Sequence, residues 1–281
     1  MGCACAKPTT EEQDDNNNRF PIPDENVDIP FSQMLHYVHR FIWQGNFSSP
    51  VDERLNSVSS KARVLNVKCG EGAWLKDNAS LYPSADFFGC DITATLQYDV
   101  SPSFLKADIL DGLRYYDKNT FDFIYLQFGL YTENEWQEKV IKELVRLCKP
   151  GGWIEIMDRE NIFHNERETT QRLGKAYRLY LESKQINPLV SSRFEEFLSN
   201  TNQIDNIQKE EKECILGVKG GRAGKYLLQD IITTWQNSKV LISESMGINQ
   251  GQYDKLIQQF KNEINKSKTT IKFVRVYGQK R

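Results

Sequence analysis

The sequence predicts a doubly wound α/β fold, in which helices cover both faces of a mostly parallel sheet. Segments with strand character alternate with segments of helix character over residues 62–158, as they do in βαβ units. The first unit has a glycine turn, Lys68-Cys-Gly-Glu-Gly72, between an apolar strand and a helix, with an acidic residue, Asp91, about 20 residues further on. This combination predicts a domain that binds a nucleoside-containing cofactor.

Short apolar, β-branched or aromatic runs predict the strands, and apolar residues at helical spacing predict the helices. An amphipathic helix is expected over 30–44, before the sheet. The helix that precedes the fifth strand should end at Lys149-Pro-Gly-Gly152, because proline stops a helix and glycine permits a turn. The predicted strands are 62–67, 86–91, 103–107, 121–127 and 152–158, with helices at 72–81 and 133–148.

The pattern becomes mostly helical after residue 158. A short polar strand is expected near 206–216, and the alternating residues of 270–277 predict a closing strand. The predicted helices of this part are 165–186, 191–200, 222–236 and 250–266.

The composition limits the classes of function. The 36 Lys and Arg residues nearly balance the 38 Asp and Glu residues, so no nucleic-acid partner is expected. Six cysteines without a pair of CxxC motifs and only three histidines predict neither a disulfide framework nor a metal site. His36 and His39 share a helix but have no evident third ligand. With no apolar stretch long enough to span a bilayer and no signal-peptide pattern, the chain is expected to be cytoplasmic.

Residues 1–30 are acidic and polar, which predicts a disordered tail. Its start places Gly2 for N-myristoylation and Cys3 and Cys5 for palmitoylation, although Ala6 replaces the preferred Ser or Thr. Acylation of both kinds would anchor the protein to the cytoplasmic face of a membrane. The alternative is an unmodified tail.

The motifs in their order resemble those of class I S-adenosylmethionine-dependent methyltransferases. The flanking segments are similar to a fungal branch of that family related to the secondary-metabolism regulators. The segments that carry the general resemblance are the glycine turn, Asp91, Ala107-Asp108, Phe121-Asp-Phe-Ile124 and Leu144–Gly152; those that carry the closer one are Tyr37–Val51, Gly220–Gly224 and Val276–Lys280.

The resemblance implies a Rossmann-like seven-stranded sheet of order 3-2-1-4-5-7-6 with the last strand antiparallel. It also implies that residues 31–281 form one methyltransferase domain after the tail. Helices in 31–57 and 165–266 would form a cap over the acceptor site.

The resemblance further implies a set of contacts to S-adenosylmethionine. Gly70 and Gly72 would let the backbone approach the cofactor, and Asp91 would accept from both ribose hydroxyls. Asp108 would accept from the adenine amino group, with Ile109 behind the ring. The alternatives are a strand-end turn residue for Asp91 and a helix cap for Asp108. Asn66, Lys68, Ile92 and Gln127 complete the predicted cofactor site.

Two of these residues depart from the family pattern, which has an acid at the position of Asn66 and glycine at that of Lys68. Asparagine lacks the charge that attracts the cofactor's ammonium group. If φ is negative at Lys68, its side chain can point away or pair with the cofactor carboxylate. The function that the resemblance implies is S-adenosylmethionine-dependent methyl transfer to a small molecule or protein. The alternative is a weak or inactive methyltransferase-like regulatory binding protein.

Two other nucleotide sites are disfavoured. Leu75 stands where a dinucleotide fingerprint needs a small residue, which opposes an NAD-dependent oxidoreductase. The segment 220–225 is one residue short of a phosphate loop, and Tyr226 replaces its Ser or Thr.

No catalytic base stands out from the sequence. His164 and Tyr131 are the weak candidates for catalysis, because each follows a strand whose end should open toward the acceptor. Glu133 and Trp43 could line the acceptor pocket, although an aromatic residue on an apolar helix is more often part of a core.

Overall fold

The computed structural model describes residues 19–24, 26–93 and 102–281. Gly2, Cys3 and Cys5, the predicted lipidation residues, lie outside these ranges, as does most of the predicted tail. Within the described ranges no helix is both long and apolar enough to cross a membrane.

The described chain contains one seven-stranded sheet. Its strands are β1 Arg63–Val67, β2 Asp86–Asp91, β3 Ser103–Lys106, β4 Phe121–Gln127, β5 Cys148–Arg159, β6 Ile204–Ile215 and β7 Thr270–Lys280. The strand order is β3-β2-β1-β4-β5-β7-β6, and the neighbouring pairs from β3 to β5 are parallel. The predicted fold class and order are confirmed.

The helices fall close to the predicted positions. They are α1 Phe31–Trp43, α2 Asp52–Leu55, α3 Ala73–Leu81, α4 Glu133–Glu135, α5 Lys142–Leu147, α6 Glu168–Ser183, α7 Phe194–Ser199, α8 Gly221–Asn237, α9 Lys239–Ser245 and α10 Gln250–Ile264. Helices α2 and α9 were not predicted. A π-helical segment, Trp136–Ile141, joins α4 to α5, so the helix predicted over 133–148 is not a regular α-helix.

The turn predicted at Lys149–Gly152 is wrong, because these residues belong to β5. The pairing with β4 shifts between Phe121 and Phe123, and Gly151 has a φ of 77°. Proline cannot continue a helix, but it is tolerated at a bulge, and glycine adopts the positive φ that a bulge requires. The chain therefore enters the sheet through an irregular strand rather than through a separate turn.

The chain divides into two compact units. The sheet unit comprises Asn46–Asp158, Val190–Glu210 and Val274–Arg281; the helical unit comprises Arg159–Leu189, Glu211–Phe273 and the described residues up to Gly45.

The sheet unit has a core on one sheet face and a more polar opposite face. Its core includes Leu65 and Val67 of β1 and the fully buried Trp136. On the opposite face of β4, the ring of Tyr125 stacks on Trp74 of α3 at a centroid distance of 4.6 Å. The same sheet face carries buried polar groups, which are described below.

An aromatic cluster lies at the centre of the helical unit. Trp235 packs against Phe260 at 4.8 Å and against Phe163 at 5.6 Å between ring centroids. Tyr177 of α6 lies 5.9 Å from the same Trp235 ring. These contacts hold α6, α8 and α10 together.

Candidate functional site

The carboxyl ends of β1 to β4 meet at one edge of the sheet. Val67 pairs with both Cys90 and Leu126, and Asp91 pairs with Lys106, so these strands end at similar levels. Open parallel sheets bind ligands at this edge. The predicted cofactor residues that follow β1, β2 and β3 therefore lie on neighbouring strands.

The turn after β1 has three residues with positive φ. The φ values are 57° at Lys68, 53° at Gly70 and 78° at Gly72. The condition of a negative φ at Lys68 is not met, because the chain there adopts the left-handed conformation that glycine, the residue of the family pattern, adopts most readily. A lysine in this conformation costs roughly 1–2 kcal/mol relative to the right-handed region.

Gly72 has a steric role in addition to its backbone conformation. A Cβ atom on Gly72 would lie 2.5 Å from Cζ of Phe104 on β3. On β2, a Cβ at Gly89 would lie 2.5 Å from Cδ1 of Leu75. Both glycines therefore let α3 approach the sheet closely. The bulky Leu75, which opposes a dinucleotide site, packs against the sheet at Gly89.

The Asp91 carboxylate is fixed by the turns on both sides of it. Its Oδ2 accepts a hydrogen bond from the Gly70 N–H at 3.0 Å, and its Oδ1 accepts from the Thr93 N–H at 2.8 Å and the Thr93 hydroxyl at 2.6 Å. Burial raises the pKa of Asp91, but these hydrogen bonds outweigh it and lower the pKa below its usual value. The group is therefore ionised at neutral pH.

A carboxylate has about four acceptor positions, and Asp91 uses three of them. Oδ2 accepts one hydrogen bond and keeps capacity for another, whereas Oδ1 accepts two. Asp91 can accept one further hydroxyl as it stands. Accepting two, as the resemblance implies for the ribose, requires the Thr93 hydroxyl to rotate away.

Lys68 extends over an aromatic ring. Its Nζ lies 5.3 Å from the ring centroid of Tyr131, a distance typical of a cation–π interaction. Tyr131 is buried, and its ring meets Trp136 edge to face at 5.3 Å. The ring that supports the ammonium group is thus held in place by the core.

Asn66 is wholly buried on β1, with 0% of its surface exposed. Its Nδ2 donates to the Tyr125 carbonyl at 3.2 Å, while its Oδ1 has no hydrogen-bond partner. A carboxylate at this position could not make the donor contact and would be a buried charge. The amide is therefore better suited to this buried environment than an acid.

The other predicted cofactor residues differ in exposure. The Asp108 carboxylate accepts from the Leu110 N–H at 2.9 Å and caps the 3₁₀ turn Ile109–Asp111, so it has the helix-cap geometry. Ile109 is buried in the core, whereas Ile92 is 59% exposed. Gln127 is the last residue of β4 and is half-buried.

The two catalytic candidates belong to different units. Burial, followed by the charge of Asp108, raises the pKa of the Tyr131 hydroxyl, so this phenol stays protonated. His164 lies in the helical unit, where its Nε2 is 3.3 Å from Oε2 of the buried Glu160. Tyr131 is therefore a candidate hydrogen-bond donor, and His164 has a carboxylate partner that can orient it.

The remaining candidates have structural contacts. Glu133 accepts a hydrogen bond from Arg193 within the sheet unit, and Trp43 is buried on α1 in the helical unit.

Burial and the charge of Asp91 raise the pKa of the Cys69 thiol to about 12, so no thiolate nucleophile forms there at neutral pH. Among the residues that the structure describes, no group of three His, Cys, Asp or Glu side chains could hold a metal.

The sequence reasoning missed three polar residues near these candidates. Thr93 fixes Asp91, Glu160 contacts His164, and the Asp158 carboxylate accepts from the Gly129 N–H at 3.1 Å after β4. Asp158 had a usable signal, since an acid at the end of a predicted parallel strand points to the ligand-binding edge. The sequence signal for Thr93 was weaker: the Asp-x-Thr spacing of residues 91–93 is typical of a local turn in which the aspartate accepts a hydrogen bond two residues on.

Comparisons with known proteins agree with this geometry. A family profile for a methyltransferase domain matches residues 64–152. N-methyltransferase verN of Clonostachys rogersoniana is 22% identical over 257 residues, which cover 86% of this chain and 87% of that protein. Methyltransferase pytC of Aspergillus terreus is 23% identical over 152 residues, covering 53% of this chain and 45% of that protein.

A third relative, the secondary metabolism regulator laeA of Aspergillus niger, is 32% identical over 96 residues, covering 33% of this chain and 25% of that protein. The chain thus spans less than half the length of pytC and laeA, but most of verN. All three relatives are fungal, as the flanking segments predicted. The confirmed sheet order and the methyltransferase domain matched over residues 64–152 are those expected of class I methyltransferases, whose cofactor is S-adenosylmethionine.

Proposed function

We propose that this protein transfers the methyl group of S-adenosylmethionine to a nitrogen atom of a small-molecule acceptor. The observation that carries the proposal is the ionised Asp91, hydrogen-bonded to the left-handed turn after β1 and retaining an acceptor position at the ligand-binding edge. The choice of nitrogen is supported by verN, an N-methyltransferase that aligns over 87% of its length.

The residues at the edge fit a nucleoside with an amino-acid tail. In the proposed arrangement Asp91 accepts a ribose hydroxyl, and the free acceptor capacity of its Oδ2 suits this role. Asp108 and Ile109 face the adenine, while the backbone at Gly70 and Gly72 approaches the amino-acid end. A Cβ at Gly70 would meet no atom within 4 Å, so the turn leaves space beside it.

When bound, the cofactor supplies an activated methyl group on a sulfonium, whose sulfur leaves as a neutral thioether. The protein's main contribution is then to align donor and acceptor, which can supply much of the acceleration. The protonated Tyr131 can donate a hydrogen bond but cannot serve as the base.

Calorimetric titration with S-adenosylmethionine and S-adenosylhomocysteine tests the cofactor site. Asp91→Asn keeps the side chain's shape but removes its charge and one acceptor, so binding should weaken about 10- to 100-fold. Asp86→Asn is the matched control, because Asp86 lies on the same strand β2 and makes only an exposed contact with Lys61 at 3.2 Å. Its affinity should equal that of the wild type.

Transfer of a radiolabelled methyl group to a panel of small-molecule amines, alcohols, phenols and carbon nucleophiles tests the acceptor class. Label on nitrogen would support the proposal, and transfer only to oxygen or carbon acceptors would refute the assignment to nitrogen. A wild-type protein that does not bind the cofactor at millimolar concentration would refute the enzymatic function. That result would favour a regulatory binding protein.

A further inference from the structure

Lys68 is held in a conformation that glycine would adopt at lower cost. Its φ of 57° lies in the left-handed region, where residues with a side chain are strained. Such strain persists only where other interactions determine the conformation. Two interactions of the Lys68 side chain are evident, and neither neutralises its charge through a salt bridge.

The first interaction is with the face of Tyr131, 5.3 Å from Nζ, which orients the ammonium group. The second is a longer-range attraction to Asp91, which contributes to lowering that group's pKa. Both oxygens of Asp91 are hydrogen-bonded to Gly70 and Thr93 instead. Among the residues that the structure describes, no carboxylate forms a salt bridge with Lys68, so its positive charge is balanced only at longer range by Asp91.

The cofactor's amino-acid end carries one ammonium and one carboxylate group. An acid at the position of Asn66 would serve the ammonium, but Asn66 is uncharged and wholly buried. Lys68, two residues further along and only half-buried, provides a positive charge instead. The charged contact available in this turn therefore suits the carboxylate and not the ammonium.

We propose that Lys68 binds the carboxylate of S-adenosylmethionine and makes the site specific for cofactors that retain this group. This inference rests on the proposed function, because it concerns the same cofactor site. Tyr131 acts as a positioning residue that directs the Lys68 ammonium toward the ligand. The chain thus recognises the amino-acid end through a charged side chain where the family pattern has glycine.

The test compares S-adenosylmethionine with its decarboxylated analogue, which keeps the sulfonium and the ammonium but lacks the carboxylate. Calorimetry would measure both ligands against the wild type and Lys68→Met, which retains the length and loses the charge. Lys68→Met should weaken binding of S-adenosylmethionine about 10- to 100-fold and leave the analogue within about threefold of the wild-type affinity. Lys76→Met is the matched control, since Lys76 is an exposed lysine on α3, and it should change neither affinity.

Each of the following outcomes would overturn the inference. An equal loss of affinity for both ligands would show that Lys68 acts on the fold or on another part of the cofactor. Tighter binding by Lys68→Met would show that the lysine obstructs the site. If neither the wild type nor any variant binds either ligand, the proposed function fails together with the inference. If the wild type binds both ligands with equal affinity, the inference alone is refuted. Circular dichroism and the thermal midpoint of each variant would identify a folding defect.

Discussion

Replacing Arg275 by methionine should destabilise the sheet unit by about 3–5 kcal/mol at neutral pH. Arg275 on β7 and Glu155 on β5 are 1% and 0% exposed, and Nε of the arginine lies 3.1 Å from Oε1 of the glutamate. The Glu155 carboxylate also accepts from the Ser48 N–H at 2.9 Å, the Ser49 N–H at 2.8 Å and the Ser49 hydroxyl at 2.7 Å. Removing the arginine leaves a buried carboxylate without its counter-charge, and an unpaired buried charge strongly destabilises the folded state.

The loss should depend on pH because the remaining carboxyl can take up a proton. Burial already raises the pKa of Glu155, and the attraction of Arg275 opposes that rise, so the pKa should rise further in Arg275→Met. An acid whose folded pKa exceeds its unfolded value of about 4.3 favours folding below that value, and the contribution is lost as pH rises through the folded pKa. The destabilisation by Arg275→Met should therefore be larger at pH 8 than at pH 5.

Urea denaturation monitored by tryptophan fluorescence at both pH values would measure the loss. Arg281→Met is the control, because Arg281 pairs with Asp205 at 2.7 Å while both side chains are exposed. Solvent screens an exposed pair, so this variant should unfold almost as the wild type does. A loss below 1 kcal/mol for Arg275→Met at pH 8, or a loss that does not diminish at pH 5, would refute the reasoning.

Two further predictions test other parts of the fold. Gly72→Ala places a Cβ 2.5 Å from Phe104 and retains a φ of 78°, so it should lower the free energy of unfolding by about 2–4 kcal/mol. Gly70→Ala adds backbone strain without a steric clash, so it should lower the free energy of unfolding by about 1 kcal/mol. Equal shifts of the urea midpoint would contradict the steric role of Gly72. Glu263 accepts from the Thr170 hydroxyl at 2.6 Å; burial raises its pKa, but the hydrogen bonds to it outweigh this and lower it. Its contribution is present above its unfolded pKa of about 4.3 and is lost as pH falls, so the stability difference between wild type and Glu263→Gln should shrink from pH 6 to pH 3. A difference that is constant over this range would contradict the role of the carboxylate.

The strands could be predicted from the sequence because their burial follows from residue type over short runs. β2 and β4 match their predicted bounds, since each is an apolar run bounded by polar residues. The seven-strand order was implied by the family resemblance, because periodicity does not specify which strands are neighbours. The start of β5 was mispredicted because the bulge at Gly151 depends on pairing with β4, a contact between residues distant in the chain.

The candidate site was predictable by position and less so by conformation. Asp91 could be placed at the end of β2 from the sequence alone, but the number of its acceptor positions already in use depends on how the turns at Gly70 and Thr93 close. Likewise, the residue type at position 68 does not determine the sign of φ there. The family resemblance identified the position as unusual, and the fold determines how the lysine is accommodated.

Backbone strain marks the same edge of the sheet independently of any relative. Eight non-glycine residues within the described ranges have positive φ, and four of them are asparagines, which tolerate this conformation. Two are glutamines at or just after the ends of α1 and α6, where a left-handed residue commonly ends a helix. The other two, Lys68 and Phe128, directly follow the last residues of β1 and β4, the adjacent central strands. Because neither residue type favours this conformation, the strained residues mark the carboxyl ends of two adjacent parallel strands, which is the edge at which open sheets bind ligands.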